Sequence, residues 1–225
     1  MTTRQPNLDE MDQTLKCDIG VAAQNASFRF MDQMDRRSIK RFVDNIKKRH
    51  KRLDILINNA SVYHKPPHSL NQDDILVHIK QVEEMVKINY GGLKNITEAF
   101  TSSLNQDARI INISSHLAQL NIFDQKDPKA VKLYEAFTDP ELTIDDLDKL
   151  VMSYANAVKS GTWLEEGWPD CAYSLTKLAV NFYSHLLQKQ FDKENPRQNI
   201  MVNAVCPGIS LMKIILFGRH IYTLG

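Results

Sequence analysis

The stretch LDILINNAS, residues 53–61, decides the fold class of this chain. Its first part, residues 53–57, is a short apolar run typical of a strand that is buried in a parallel sheet. The polar residues that follow end the run and place amide side chains at the end of the strand. Immediately upstream, residues 36–51 put apolar side chains on one helical face, at Ile39, Phe42, Val43 and Ile46. These residues therefore predict a helix followed by a buried parallel strand.

Strands and helices alternate along the rest of the chain. Further strands are predicted at residues 27–31, 108–113 and 199–205, and further helices at residues 82–100 and 173–191. This β-α-β-α order is typical of an α/β fold with a doubly wound parallel sheet, and we expect residues 1–225 to form a single domain. Ligands bind at the carboxyl ends of the strands in such sheets, so the motifs found there are the candidates for function.

Polar motifs stand at the ends of three predicted strands, and a Tyr-x-x-x-Lys pair lies on a predicted helix. They are NNAS (58–61), NISS (112–115), Tyr173 with Lys177, and CPG (206–208). In this order they resemble the short-chain dehydrogenase/reductase family, and EEGWPDCAYSLTK (165–177) is similar to its carbonyl reductase branch. The resemblance covers about residues 1–208 and implies a Rossmann-like fold and NADPH-dependent reduction of ketones, aldehydes or quinones.

The resemblance implies four catalytic residues. Tyr173 would donate a proton to the carbonyl oxygen, and Ser115 would hydrogen-bond that oxygen. Lys177 would lower the pKa of Tyr173, which is about 10 for a free tyrosine, and would hold the nicotinamide ribose. Asn89 matches the helix asparagine that anchors a water leading to the lysine.

The Tyr-x-x-x-Lys spacing is weak on its own, although it places both side chains on one helical face. Tyr90 and Lys94 repeat the same spacing. Because Tyr90 precedes the serine strand and adjoins Asn89, we interpret it as a residue of helix packing. Tyr173 is then the candidate proton donor.

The cofactor contacts are also implied by the resemblance. Asp32 and Gln33 stand at positions where members of the family contact the adenine, and Asn59 stands at the position beside the adenosine ribose. Near Asn59, Ser61 replaces the glycine that is usual in the family. Arg4 matches an arginine that pairs with the 2′-phosphate and favours NADPH; the alternative is a terminal arginine without a role. The remaining cofactor contacts are Tyr173, Lys177, Pro207 and Gly208.

The glycine-rich loop that would bind the pyrophosphate is absent from the sequence. The first glycine is Gly20, and no Gly-x-x-x-Gly-x-Gly motif occurs. We therefore expect a chain that begins near the end of the family's second strand and lacks its first β-α unit, which should expose apolar neighbours. We also expect residues 209–225 to be a divergent tail without the C-terminal strand, because Met212 stands where the family has a threonine.

A long insertion separates Ser115 from Tyr173. Residues 120–165 contain two helical patterns, one of which has Thr143 as its N-cap and Gly161 as its C-terminal stop. By resemblance to the monomeric carbonyl reductases, the insertion covers a helix face that other members use for assembly, and we expect a monomer. The alternative is an insertion that only decorates the surface.

Composition narrows the class of protein. A net charge of +1 argues against a nucleic-acid surface, and 43% hydrophobic residues suit a folded core. The three cysteines form no CxxC motif, so we expect neither a disulfide framework nor a metal site. We expect Cys206 to be a buried thiol; the alternative is a reactive thiol. The polar N-terminus and the absence of a long apolar stretch predict a cytoplasmic protein without a membrane span.

Three hypotheses follow from these features. The first is a carbonyl reductase that uses NADPH and a small-molecule carbonyl substrate. The second is an inactive reductase-like chain that binds a protein partner through an exposed sheet edge. The third is a chain without a function.

Overall fold

The computed structural model describes residues 29–65 and 72–208, and within these ranges the chain forms an α/β fold. Its strands are β1 (Leu53–Asn58), β2 (Leu104–Ile113) and β3 (Met201–Val205). They pair in the order β1-β2-β3, and both pairs are parallel. Parallel neighbours need long crossover connections, and helices form both crossovers here.

Six α-helices lie in the described ranges. They are α1 (Arg36–His50), α2 (Gln72–Met85), α3 (Leu93–Thr101), α4 (Pro128–Thr138), α5 (Ile144–Ser160) and α6 (Ala172–Glu194). A π-helix, Val86–Gly92, joins α2 to α3, and short 3₁₀ turns lie at Leu120–Ile122 and Pro196–Gln198. None of the helices in the described ranges is long and apolar enough to cross a bilayer.

The hydrophobic core lies on one face of the sheet. Leu56, Ile110 and Val202 point from the three strands to this face and are buried. Helices α1, α3 and α6 pack against it: α1 contacts α3, α3 contacts β1 and β2, and α6 contacts β3. The ring of Phe42 in α1 meets that of Phe100 in α3 edge-on, with centroids 6.1 Å apart.

The opposite face of the sheet is exposed over much of its area. Alternate strand residues point to opposite faces, so Ile55 and Ile57 lie on the same side of β1, and their exposed fractions are 56% and 53%. On β3, Met201 is 45% exposed. The pairing of Ile55 with Arg109 and of Arg109 with Met201 places these residues in one row across the sheet. Parallel sheets are usually covered on both faces.

The predicted strands at 27–31, 108–113 and 199–205 each need a correction. Strand β3 begins at Met201 rather than at 199, because Asn199 has a left-handed backbone with a φ of 51°. Of the predicted strand 27–31, residues 27–28 lie outside the described residues, and residues 29–31 are not in a strand. The Met31 side chain packs into the core. Strand β2 begins at Leu104 rather than at 108, because Leu104 already pairs with Leu53. The register shifts before the next pair, Ile55 with Arg109, and the extra residues lie in β2. The predicted N-cap and stop of α5 are confirmed: Thr143 accepts from the Asp146 N–H, and Gly161 is left-handed.

Candidate active site

The carboxyl ends of the three strands meet at one edge of the sheet. Asn58 at the end of β1 is in register with Asn112 of β2, and the Ser114 N–H donates to the Val205 carbonyl of β3 at 2.8 Å. The motifs NNAS, NISS and CPG therefore begin side by side. This is the edge where ligands bind in parallel α/β sheets.

Helix α6 brings Tyr173 to this edge in its first turn. Ser115 reaches the same edge, because the neighbouring Ser114 hydroxyl donates to the Lys177 carbonyl of α6 at 3.3 Å. Burial raises the pKa of Tyr173, while hydrogen bonds from Ser115 and Ser61 act in the opposite direction. The net direction is upward, so the phenol is held in its protonated, proton-donating form.

Lys177 lies one turn after Tyr173 on α6 and is 2% exposed. Its ammonium donates to the Ile113 carbonyl at 2.7 Å and lies 5.7 Å from the centroid of the Tyr173 ring. Burial lowers the pKa of Lys177 to about 8. The Tyr173 pKa is raised rather than lowered as expected, because burial of the phenol is the largest contribution to the shift.

Asn89 is buried in the π-helix and fixes the loop after β1. Its side-chain amide donates to the Val62 carbonyl at 2.9 Å and to the Thr176 hydroxyl at 3.2 Å, and its oxygen accepts from the Val62 N–H at 2.8 Å. Single-turn π segments often mark functional sites. Here the segment connects the NNAS loop to α6, the helix of Tyr173 and Lys177.

A buried polar network below the site was missed by the sequence reasoning. The Asn58 amide donates to the Asn112 side-chain oxygen at 2.8 Å and to the Thr97 hydroxyl at 2.9 Å. The Asn112 amide in turn donates to the Ser184 hydroxyl at 2.8 Å. The sequence feature that could have indicated this network is the asparagine found near the ends of two neighbouring strands, Asn58 and Asn112. Because each buried amide is satisfied, the network fixes the strand ends that hold the site.

Of the residues predicted on the adenosine side of the cofactor, Gln33 is buried, while Asn59 is exposed. The Gln33 side chain is buried and its amide donates to the Ile88 carbonyl at 3.4 Å, so it contributes to helix packing. The Asp32 carboxylate accepts from the Met34 N–H at 2.9 Å in a turn before α1. Asn59 is exposed at the strand edge.

The remaining predicted cofactor residues lie at the ends of the chain. Pro207 and Gly208 are exposed after β3, and Gly208 has a positive φ of 79°. Arg4 and the tail 209–225 lie outside the described residues. Cys206 is exposed, so the prediction of a buried thiol is wrong; β3 ends at Val205, and the polypeptide has already left the core.

The second Tyr-x-x-x-Lys pair is a packing element, as we interpreted it. The Tyr90 side chain is buried and its hydroxyl donates to Asp148 of α5 at 2.7 Å. Lys94 bonds to the other oxygen of Asp148 and lies 3.5 Å from Glu98. Burial and the bond to Asp148 raise the pKa of Tyr90. The pair therefore attaches the segment between β2 and α6 to the π-helix and α3.

Comparison with known proteins gives consistent matches. A family model for short chain dehydrogenases matches residues 3–126, which is more than half of the chain. Carbonyl reductase (NADPH) 3 of Homo sapiens is 31% identical over 181 residues, covering 80% of this chain and 62% of the relative. Carbonyl reductase (NADPH) 1 of Mus musculus is 27% identical over 200 residues, covering 89% and 69%.

A solved structure matches the fold over nearly the whole chain. Salutaridine reductase from Papaver somniferum superposes with a TM-score of 0.73 at 25% identity, covering 90% of this chain and 74% of that one. The match extends well beyond the three strand-end motifs, so the two proteins share the overall fold.

Proposed function

This chain belongs to the short chain dehydrogenase family, and from that membership we propose that it reduces carbonyl compounds to alcohols, with NADPH as hydride donor and Tyr173 as proton donor. The matched relatives named as NADPH carbonyl reductases support the cofactor and the substrate class. We further propose that the substrates are ketones, aldehydes or quinones.

The observation that supports the proposal is the convergence of Tyr173, Ser115 and Lys177 at one edge of the sheet. The three residues come from α6 and from the end of β2, and they are brought together by folding. A phenol beside a serine hydroxyl is the arrangement that protonation of a carbonyl oxygen needs, since one group must donate while the other orients the oxygen. The upward shift of the Tyr173 pKa keeps its proton in place until the oxygen becomes basic.

The residues at this edge fit the nicotinamide half of the cofactor. A lysine ammonium has three donors, and the structure shows one of them on the Ile113 carbonyl, so Lys177 can also bind ribose hydroxyls. Exposed Pro207 and Gly208 would border the cofactor at the end of β3, and exposed Asn59 would border its adenosine ribose. When bound, NADPH would supply the hydride.

The chain's own residues account for the proton step. Ser115 donates a hydrogen bond to the carbonyl oxygen and orients it toward Tyr173. As the carbonyl carbon gains the hydride, the oxygen takes the Tyr173 proton, which leaves an alcohol and a phenolate. The Lys177 charge, close to the ring, stabilises that phenolate.

The matched pair Tyr173→Phe and Tyr90→Phe tests the assignment. Tyr173→Phe should lower kcat at least about a thousandfold while leaving NADPH affinity within about twofold, because the lost hydroxyl acts in the proton step. Tyr90→Phe should keep turnover and lower the free energy of unfolding by about 1–2 kcal/mol, because Asp148 loses a hydrogen bond.

The measurements are NADPH fluorescence titration, carbonyl-dependent NADPH oxidation and urea unfolding on the 225-residue chain. Undiminished turnover in Tyr173→Phe would refute the role of Tyr173. A folded wild-type chain that shows no NADPH binding would refute the proposed activity itself.

A further inference from the structure

The ring of Tyr63, in the loop after β1, lies against the ring of Tyr173. The two rings are at 90° to each other, with centroids 5.1 Å apart. Edge-to-face aromatic pairs of this separation are favourable contacts. Tyr63 is nevertheless 53% exposed, so the contact with Tyr173 covers only part of its side chain. An exposed aromatic surface therefore borders the candidate active site.

Both sequence neighbours of Tyr63 are held by α2 and the π-helix that follows it. The Asn89 side chain is 0% exposed and hydrogen-bonds to the Val62 N–H at 2.8 Å and to the Val62 carbonyl at 2.9 Å. On the other side, His64 Nε2 lies 3.0 Å from a carboxylate oxygen of Glu84 in α2. Because the chain is anchored just before and just after Tyr63, its ring is presented to the site in a restricted position.

The place of Tyr63 sets it apart from an ordinary exposed aromatic residue. Single apolar side chains on a protein surface are common and need no function. Tyr63 is anchored through both neighbours, and it contacts the residue that donates the proton in the proposed reaction. A substrate whose carbonyl oxygen bonds to Tyr173 therefore brings the group next to its carbonyl close to the Tyr63 ring. Contacts at that position distinguish one substrate from another.

We propose that Tyr63 is a specificity-determining residue, whose exposed ring binds an aromatic ring that the substrate carries next to its carbonyl. The proposal rests on the proposed carbonyl reduction. A flat aromatic ring can meet Tyr63 in an offset-stacked or edge-to-face arrangement. A saturated ring is puckered and lacks the π-system on which these arrangements depend. The site therefore favours aryl ketones over saturated ketones of the same size.

Two ketones with equal numbers of carbon atoms isolate this preference. Acetophenone carries a flat phenyl ring, and cyclohexyl methyl ketone carries a puckered one. The measured quantity is the ratio of kcat/KM for acetophenone to kcat/KM for cyclohexyl methyl ketone, with NADPH as cofactor. Tyr63→Leu keeps an apolar side chain without the ring and should lower this ratio about three- to tenfold, the worth of one aromatic pair. Tyr63→Phe keeps the ring and should leave the ratio unchanged.

The ratio separates specificity from a merely structural role. Loss of the contact between Tyr63 and Tyr173 would slow the reduction of both ketones, and this effect cancels in the ratio. The intrinsic reactivities of the two ketones differ, but they are the same for every variant. A change in the ratio therefore reports on the interaction with the substrate ring.

Binding to the wild-type chain gives a readout that does not depend on turnover. The chain has seven tyrosines, so tyrosine labelled with carbon-13 at the ring Cε positions gives signals for each, and Tyr63→Phe identifies those of Tyr63. The titrant is acetophenone in the presence of NADP⁺, which cannot reduce it. Its ring current should shift the signals of Tyr63 in a saturable way. The signals of Tyr154, which is 0% exposed, should stay in place, and cyclohexyl methyl ketone should shift Tyr63 much less.

The outcomes separate this proposal from the proposed function. An unchanged ratio in Tyr63→Leu would overturn the role of Tyr63 even in an active enzyme, and so would a titration with acetophenone that leaves the Tyr63 signals in place. Saturable shifts of the Tyr63 signals in a chain that reduces neither ketone would uphold Tyr63 as a binding surface for aromatic rings and refute the reductase activity.

Discussion

At the scale of single residues, the buried charge of Lys177 lowers the stability of the folded protein. Its ammonium is buried, and burial lowers its pKa from an ordinary 10.5 to about 8. A shift of 2.5 corresponds to a cost of about 3 kcal/mol for holding the charge at neutral pH. The hydrogen bond to Ile113 recovers about 1 kcal/mol of this cost. A packing role alone would be better served by an apolar side chain, so the charge indicates function.

Lys177→Met should therefore stabilise the protein while it removes activity. We expect the free energy of unfolding at pH 7 to rise by about 1–3 kcal/mol, because a buried charge is replaced by an apolar chain of similar length. Between about pH 8 and 10.5 the unfolded wild type binds a proton that the folded wild type does not, so wild-type stability rises with pH in that window. The advantage of Lys177→Met should be full below pH 8 and shrink above it.

Urea unfolding at pH 7, 9 and 10 measures this difference directly. Lys193→Met, at an exposed position on the same helix, is the matched control and should change stability little at any pH. A variant at Lys177 that is less stable than the wild type at pH 7 would show that the ammonium is stabilising.

At the scale of elements, the sequence predicted what depends on local pattern. The helical spacing of apolar residues predicted α1 and α6. Thr143 as N-cap and Gly161 as C-terminal stop predicted the two ends of α5. The π-helix was not predicted in this way. Its last residue, Gly92, lies so close to the Gln33 side chain that an added Cβ would meet it at 3.0 Å, and this approach joins residues distant in sequence. The same holds for the contacts of Asn89 with Val62 and of Tyr63 with Tyr173, which join residues distant in sequence or in different elements.

Gly167 closes the segment between β2 and α6 onto the start of α4. It has a φ of +84°, and an added Cβ would lie 2.5 Å from the Ala130 nitrogen. Gly161 has a similar φ of +76°, but nothing lies within 4 Å of an added Cβ. The two glycines thus share the backbone requirement and differ in the space around them.

Substituting both glycines with alanine separates strain from steric overlap. Gly161→Ala should cost about 1–2 kcal/mol, the penalty of a left-handed backbone. Gly167→Ala should cost about 1–3 kcal/mol more, because the backbone of α4 must also move. Urea unfolding of both variants measures the difference, and equal losses would mean that α4 moves away without cost.

At the scale of the whole molecule, the two faces of the sheet differ in how they are covered. Helices α1, α3 and α6 cover one face, while Ile55, Ile57 and Met201 remain exposed on the other. The sequence predicted the parallel sheet correctly, because short apolar runs mark buried strands. It could not show which face is covered, since an apolar run has no preferred side.

The exposed face of the sheet can be tested with substitutions in strand β1. Replacing both Ile55 and Ile57 by threonine should change the free energy of unfolding by less than about 1 kcal/mol, because both side chains are about half exposed and threonine keeps a high strand propensity. Binding of a hydrophobic dye should fall at the same time, since the apolar patch is reduced. Leu56→Thr, between them on the covered face, should cost about 3 kcal/mol because Leu56 is 6% exposed. If the double replacement proved as costly as Leu56→Thr, both faces of β1 would be buried in solution, and the sheet would be covered on both sides as parallel sheets usually are.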